Sequence, residues 1–157
     1  MSSGMVARPA WSDRFRKPNA DLLISEVTKS LQPAAESLRE QLLGMDGVTE
    51  EISWQGVPWR WSVLFRHESI AGRAWAYLIA QPQAPLLVIP LTADAIAALP
   101  MRKLLKPVRD AITHAKQVDG IRWAQWEIQS KSQVETLIKL ARIQLEAASE
   151  SETVGAG

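Results

Sequence analysis

The chain has 157 residues, of which 46% are hydrophobic, and this length is sufficient for one domain with its own core. Its 18 lysines and arginines against 17 acidic residues give a net charge of +1, which argues against a nucleic-acid partner. The sequence has no cysteine, which excludes disulfides, thiolate metal sites and cysteine nucleophiles, and it has no apolar run that would suit a membrane partner.

The two ends of the chain differ in charge and are predicted to be tails. Residues 1–19 contain four basic side chains and one acidic side chain, and the last dozen residues contain three glutamates. We expect flexible tails over 1–19 and 147–157 and a single domain over 20–146. The first residues lack the apolar stretch of a signal peptide, so we expect a cytoplasmic location, and Met5 offers a second start that would make 1–4 an expression remnant. No motif indicates a cofactor or a metal ion.

An N-terminal helical hairpin is predicted by two apolar patterns with helical spacing. The first begins behind Asp21, a suitable N-cap, and continues to Leu31, after which Pro33 interrupts it. Pro33 suits the first turn of a second helix, which Gly44 and Gly47 end. The apolar positions of the hairpin are Leu23, Val27, Leu31, Ala35, Leu38, Leu42 and Met45.

The apolar period then changes from about 3.6 to 2, which indicates strands. A first strand, in the stretch TEEISWQ, has Ile52 and Trp54 on one face. The clearest strand covers residues 59–65, where the odd positions are apolar and most residues between them are polar. This alternation favours an antiparallel sheet with one buried face. The following strand has Trp75 and Tyr77 on one face.

The second half of the chain predicts a buried strand, two helices, a last strand and a final helix. The stretch LLVIPL is a continuous apolar run, typical of a strand that is buried on both faces. Thr92 suits the N-cap of a short helix, and Asp119 with Gly120 forms a turn before IRWAQWEI, in which Trp123 and Trp126 have opposite parity. We expect an α+β fold with a mostly antiparallel sheet of about five strands, on which the N-terminal hairpin and the C-terminal helices pack.

This order of elements resembles a known group. Together with the stretches WQGVPWRWSVLF and VDGIRWAQWEI, it is similar to small bacterial domains of unknown function, including the YdhG-like group. Members of such families open with a helical hairpin, followed by a strand with an acidic start and a W-x-G-x-P type turn. The matching positions are Glu50, Glu51, Trp54, Gly56 and Pro58. The resemblance covers roughly residues 21–145; it implies an α+β fold and no catalytic residue.

The tryptophans suggest a binding site, because six of the seven fall in two short regions of predicted strand. Trp59 and Trp61, beside Trp75 and Tyr77 of a neighbouring strand, would form one aromatic wall that suits a small planar or apolar ligand. Arginines next to these strands would add cation–π or anion contacts at the rim of the wall. These arginines are Arg60, Arg66, Arg73 and Arg122. The alternative is that helices cover the wall as core.

Our main functional hypothesis is a non-enzymatic domain that binds a small molecule or a partner in an aromatic-lined cleft on the sheet. The second is an enzyme of unknown reaction at the same cleft, although no nucleophile motif, metal-ligand spacing or phosphate loop is visible. The residues that such an enzyme would recruit are Glu50, Glu51, His67 and Arg122. A homodimer that covers the exposed aromatics is the third. We interpret His114 and the basic segment 102–116 as solvated surface.

Overall fold

A computed structural model of the chain describes residues 8–156, with side chains through residue 150. The fold is α+β, with one six-stranded antiparallel sheet in the order β1-β2-β3-β4-β6-β5. The strands are β1 Thr49–Trp54, β2 Trp61–Arg66, β3 Ala76–Ile79, β4 Leu86–Leu91, β5 Lys116–Val118 and β6 Ile121–Glu127. The α-helices are α1 Ala20–Ser25, α2 Gln32–Leu43, α3 Ala93–Ala98, α4 Lys106–Thr113 and α5 Lys131–Ala156. The fold class and the antiparallel sheet were predicted, and the sheet has one strand more than expected.

The additional strand depends on the turn at Asp119 and Gly120. Both residues have a positive φ, 51° and 79°, which is the two-residue hairpin geometry that the Asp-Gly pair favours. The turn pairs Val118 with Ile121, so the preceding residues extend the sheet as β5. All three residues of β5 are exposed, so none of them has to be apolar. Its sequence, KQV, shows no apolar alternation, and the strand was missed for this reason.

The N-terminal hairpin has a shorter first helix than the sequence predicted. Asn19, and not Asp21, is the N-cap of α1, and its side chain accepts a hydrogen bond of 2.7 Å from the backbone N–H of Leu22. α1 has only six residues. After α1, the backbone N–H of Thr28 donates to the carbonyl of Pro82 at 2.8 Å instead of continuing the helix. A short 3-10 turn leads from there into α2.

The main core lies between the helices and one face of the sheet, which we call the helix face. Fully buried side chains from α2, the central strands and α5 meet there, among them Leu38, Phe65, Leu78, Leu87 and Leu137. Burial of this kind contributes about 25 cal/mol per Å² of apolar surface, so this layer supplies most of the stability of the fold.

The opposite face of the sheet, which we call the outer face, carries a second and smaller apolar cluster. Its buried members are Leu64, Ala74, Tyr77, Ile79 and Val88. The central strands are therefore buried on both faces, whereas the alternation in β2 predicted burial on one. In β6, Trp126 is buried on the helix face and Trp123 is half-buried on the outer face, as their parity predicted. The β4–β6 register is continuous, so burial on both faces, and not a bulge, explains the irregular apolar pattern of β6.

The last helix, α5, begins with a local cap and extends beyond the predicted domain end. Ser130 accepts a hydrogen bond from the N–H of Gln133, whose side chain accepts one from the N–H of Gln129. The helix continues to Ala156, although the sequence predicted a tail from residue 147. Within residues 8–156, no helix has the length and apolar character that a membrane crossing requires.

Candidate binding cleft

The three tryptophans of the predicted wall do not form one surface. The rings of Trp61 and Trp75 belong to the helix-face core, where they are 7% and 0% exposed. Trp59 packs on the outer face with Tyr77, so the sheet lies between it and the other two rings. The prediction of a single wall is therefore wrong, and Trp61 and Trp75 are core residues.

The backbone at Arg60 explains why the alternation failed at Trp59. Arg60 has a left-handed φ of 59°, its N–H donates to Gly56 at 2.6 Å, and its carbonyl accepts from the N–H of Gln55 at 2.8 Å. Residues i and i+2 share a face only where the backbone between them is extended. β2 begins at Trp61, after this turn, so Trp59 is free to lie on the opposite face. Trp75 similarly precedes the first residue of β3.

An aromatic cluster does exist on the outer face, with a different membership. The ring centroids of Trp59, Tyr77 and Trp123 lie 5.3 to 6.4 Å apart in inclined orientations. These are favourable aromatic contacts, and the rings belong to the apolar cluster of the outer face. The Tyr77 hydroxyl also accepts a hydrogen bond from the backbone N–H of Ala74. The cluster anchors the chain around Trp59 on the sheet.

The N-terminal segment, residues 8–19, is fixed to this end of the sheet. The indole N–H of Trp11 donates to the carbonyl of Trp59 at 2.8 Å, and the indole N–H of Trp61 donates to the carbonyl of Asp13 at 2.7 Å. The N–H of Ala10 donates to the carboxylate of Glu26 at 2.7 Å. The sequence predicted a flexible tail over 1–19. Its first seven residues lie outside the described part, residues 10–13 and Pro18 pack on the domain, and residues 14–17 are exposed.

A cleft of about 420 Å³ lies between this segment and the sheet end, and we call it the N-terminal cleft. It is lined by Pro9, Trp11, Ser12, Pro58, Arg60, Gln81, Pro82 and Gln83. The guanidinium carbon of Arg60 is 5.0 Å from the centre of the Trp11 ring, which is a cation–π contact. The sequence analysis named Arg60 as a rim residue and did not include Trp11, because a single tryptophan in a predicted tail gave no sign of its position.

Two other clefts in the described part of the chain are rimmed by carboxylates. One, of about 380 Å³ between α1 and α2, is lined by Asp21, Ile24, Ser25, Gln32, Glu36, Arg39 and Glu40. The other, of about 720 Å³ beside α5, is lined by Gly44, Met45, Asp46, His67, Arg142, Leu145, Glu146, Ser149 and Glu150. Each has three acidic side chains and one arginine. The N-terminal cleft has one arginine and no acidic side chain, so it differs from both in charge.

The residues of the enzyme hypothesis do not meet at this cleft. Glu50 points to the helix face and pairs with Arg39, and Glu51 points to the outer face and pairs with Arg66. Neither pairs with Arg122, the arginine of the enzyme hypothesis. Arg122 instead donates to the carbonyls of Ile112 and Thr113, where a cation complements the C-terminus of α4.

The histidines and the basic segment also lie apart from the N-terminal cleft. His67 lines the acidic cleft beside α5, and its Nδ1 accepts a hydrogen bond from the N–H of Ser69 at 3.0 Å. His114 is the C-cap of α4. In the basic segment, the hydrogen bond from Lys106 lowers the pKa of Asp110 below its usual value. No group of three or more histidines or carboxylates in the described part of the chain could hold a metal ion.

The neighbouring pairs at Glu50 and Glu51 give a matched test of how burial changes the contribution of an ion pair. Arg39 donates two hydrogen bonds to Glu50, which raise the pKa of Arg39, and the two side chains are 24% and 18% exposed. Replacing Arg39 with methionine should lower the free energy of unfolding by about 1–2 kcal/mol, mainly because Glu50 is left partly desolvated without its partner. The variant also breaks the pair of Arg39 with Asp21, which contributes little because Asp21 is 87% exposed. Urea unfolding followed by far-ultraviolet circular dichroism measures the loss.

The matched control is Arg66→Met, at the pair with Glu51. Those side chains are 43% and 47% exposed, and exposed pairs contribute at most about 1 kcal/mol. We expect a loss below about 0.5 kcal/mol, since water screens the charge that remains. Equal losses for the two variants would contradict the inward position of Glu50.

Comparisons with known proteins return no match to this chain. A scan against protein-family models, a search of curated proteins and a search of solved structures were each without a match. The resemblance to the YdhG-like group therefore stays a prediction.

Proposed function

We propose that the protein is a non-enzymatic binding domain that holds a small ligand with a flat apolar part in the N-terminal cleft. The volume of about 420 Å³ falls within the range of about 300–1,000 Å³ that is usual for small-molecule sites. The walls combine an indole and three proline rings with a few polar groups, which is the common composition of such sites.

The observation that carries this proposal is the docking of the N-terminal segment. Trp11 is held by its hydrogen bond to Trp59 and by the contact with Arg60, so contacts within the chain itself fix the aromatic wall. Preformed walls lower the ordering cost of binding, because fewer side chains lose freedom when the ligand enters. The proline rings add rigidity for the same reason.

A titration with flat aromatic compounds tests the proposal. In ¹H–¹⁵N spectra, we expect the indole N–H signal of Trp11 to shift more than those of the other tryptophans when naphthalene-based and indole-based compounds are added. Trp11→Ala removes the wall and should weaken binding by about tenfold or more, since an aromatic contact of about 1.5 kcal/mol corresponds to that factor. Isothermal titration calorimetry measures the affinity.

The matched control is Trp123→Phe, which changes an aromatic ring on the outer face away from the cleft. It should leave the affinity within about twofold. Trp11→Phe keeps a ring but loses the N–H that holds it, so it separates the contribution of the ring from that of docking. If none of the compounds binds at millimolar concentration, or if Trp11→Ala and Trp123→Phe weaken binding equally, the proposal is wrong.

The two other hypotheses have less support from the geometry. The enzyme hypothesis requires Glu50 or Glu51 with His67 and Arg122, and each of these side chains contacts a different partner. For a homodimer, the large exposed apolar side chains in the described part of the chain come from six different segments. These side chains are Phe15, Leu22, Leu43, Val57, Leu105 and Val118. A single exposed side chain of this kind is ordinary for a monomer.

A further inference from the structure

We propose that the ligand of the N-terminal cleft carries a carboxylate, and that Arg60 binds this group. The inference depends on the proposed function, because it assigns a chemical class to the ligand of the same cleft. A flat organic acid would place its ring against Trp11 and the proline rings and its carboxylate at the guanidinium of Arg60.

The position of Arg60 is fixed by its backbone. Its N–H and carbonyl both bond within the turn at residues 55–60, and its φ of 59° is left-handed. The cation–π contact of the guanidinium with Trp11 restricts the side chain as well. A cation held in this way loses little freedom when it binds an anion, so more of the interaction energy appears as affinity.

Arg60 has no acidic partner in the described part of the chain. The ion pairs found there involve Arg39, Arg66 and Lys106. The Nε atom of Arg60 is buried and makes no hydrogen bond to another described residue. A buried donor without an acceptor is costly, by about 1–3 kcal/mol, and a small shift of the guanidinium towards a carboxylate would satisfy it.

The remaining lining of the cleft favours an anion over a cation. Arg60 is the one charged side chain of the lining, and the other side chains with polar groups are Trp11, Ser12, Gln81 and Gln83, which are neutral. A ligand carboxylate would therefore meet one cation and neutral groups only. In each of the other two clefts, it would meet three carboxylates, which disfavour a second negative charge.

Matched pairs of acids and their amides test the inference. Benzoate, 2-naphthoate and indole-3-carboxylate are each titrated beside the corresponding primary amide, which has nearly the same shape without the charge. We expect each acid to bind the wild-type protein about 10- to 100-fold more tightly than its amide, because hydrogen bonds to charged groups contribute about 1.5–3 kcal/mol. Calorimetry gives the affinities, and the Nε–H signal of Arg60 in ¹H–¹⁵N spectra reports the contact.

Two variants of Arg60 and one control variant test whether Arg60 causes the preference for acids over amides. Arg60→Asn removes the charge with a residue that tolerates a left-handed φ, and it should abolish the preference for acids while amides still bind. Arg60→Lys keeps the charge but loses the planar fork, and it should retain part of the preference. Arg66→Asn removes one positive charge on the outer face and should change the preference by less than about twofold. The indole N–H signal of Trp61, which donates to the carbonyl of Asp13, reports whether the N-terminal segment stays docked in each variant.

The outcomes separate this inference from the function on which it depends. If acids and amides bind the wild type equally well, the cleft is a binding site but the ligand class is wrong. If the preference for acids persists in Arg60→Asn, Arg60 is not the anion contact and the inference fails. If no acid and no amide binds at millimolar concentration, the proposed function fails together with the inference.

Discussion

Replacing Trp75 with alanine is expected to lower the free energy of unfolding by about 3–5 kcal/mol, the range for large aromatic residues in a packed core. The side chain is fully buried, and its indole N–H donates to the carbonyl of Ala141 in α5 at 2.8 Å. The substitution would open a cavity between β3 and α5 and remove the bond that joins them. Urea unfolding followed by far-ultraviolet circular dichroism measures the loss without relying on tryptophan emission.

Two further variants show that the loss comes from core packing. Trp75→Phe keeps an aromatic ring and removes the donor, so it should cost about 1–2 kcal/mol. Trp123→Ala removes a half-buried ring from the outer face and should cost less than half as much as Trp75→Ala, because less contact area is lost. If Trp75→Ala costs less than about 1 kcal/mol, Trp75 is not a core residue, and the aromatic wall predicted from the sequence regains support.

The features that the sequence predicted correctly depend on neighbours along the chain. Thr92 caps α3 by accepting a hydrogen bond from the N–H of Ala95, and the Asp119–Gly120 turn forms where its residue types require a positive φ. The opposite faces of Trp123 and Trp126 follow from the period of two within a regular strand. Each of these features is determined by a few neighbouring residues and their preferred dihedral angles, so it can be predicted from a single sequence.

The features that the sequence missed depend on contacts between distant segments. No pattern in the sequence indicated the ion pair between Glu50 in β1 and Arg39 in α2, which joins two segments that are separated along the chain. Leu64 occupies a position where alternation predicted a polar residue, and the second buried cluster on the outer face accounts for it. Both contacts depend on how the elements pack, which periodicity along one segment does not determine.

The candidate site was predicted only in part, for the same reason. The sequence identified an aromatic-lined cleft with an arginine at its rim, and Arg60 does line a cleft beside an indole. The indole is that of Trp11, which is far from Arg60 in sequence and lies in a segment with no helix or strand pattern. One left-handed residue, Arg60, also reversed the expected face of Trp59. Of the predicted site residues, Arg60 alone lines this cleft, so sequence alternation did not determine which side chains form its surface.

Gly47→Ala is expected to lower the free energy of unfolding by about 2–3 kcal/mol, for two reasons that can be separated. Gly47 has a φ of +80°, which costs a residue with a side chain about 1–2 kcal/mol. A Cβ atom there would also lie 2.8 Å from the Nε2 atom of His67, closer than van der Waals contact. His67 is held by the hydrogen bond from Ser69, so its ring cannot move aside without losing that bond. Urea unfolding measures the total.

Gly56→Ala isolates the backbone contribution, because Gly56 has nearly the same φ, +78°, and a Cβ there would meet no atom within 4 Å. It should cost about 1 kcal/mol less than Gly47→Ala, and the difference is the steric contribution of His67. In a protein that already carries His67→Ala, the clash is absent. Adding Gly47→Ala to that protein should therefore lower the free energy of unfolding by about as much as Gly56→Ala lowers it in the wild type. If Gly47→Ala already costs no more than Gly56→Ala, the His67 ring yields freely, and this wall of the acidic cleft beside α5 is not rigid.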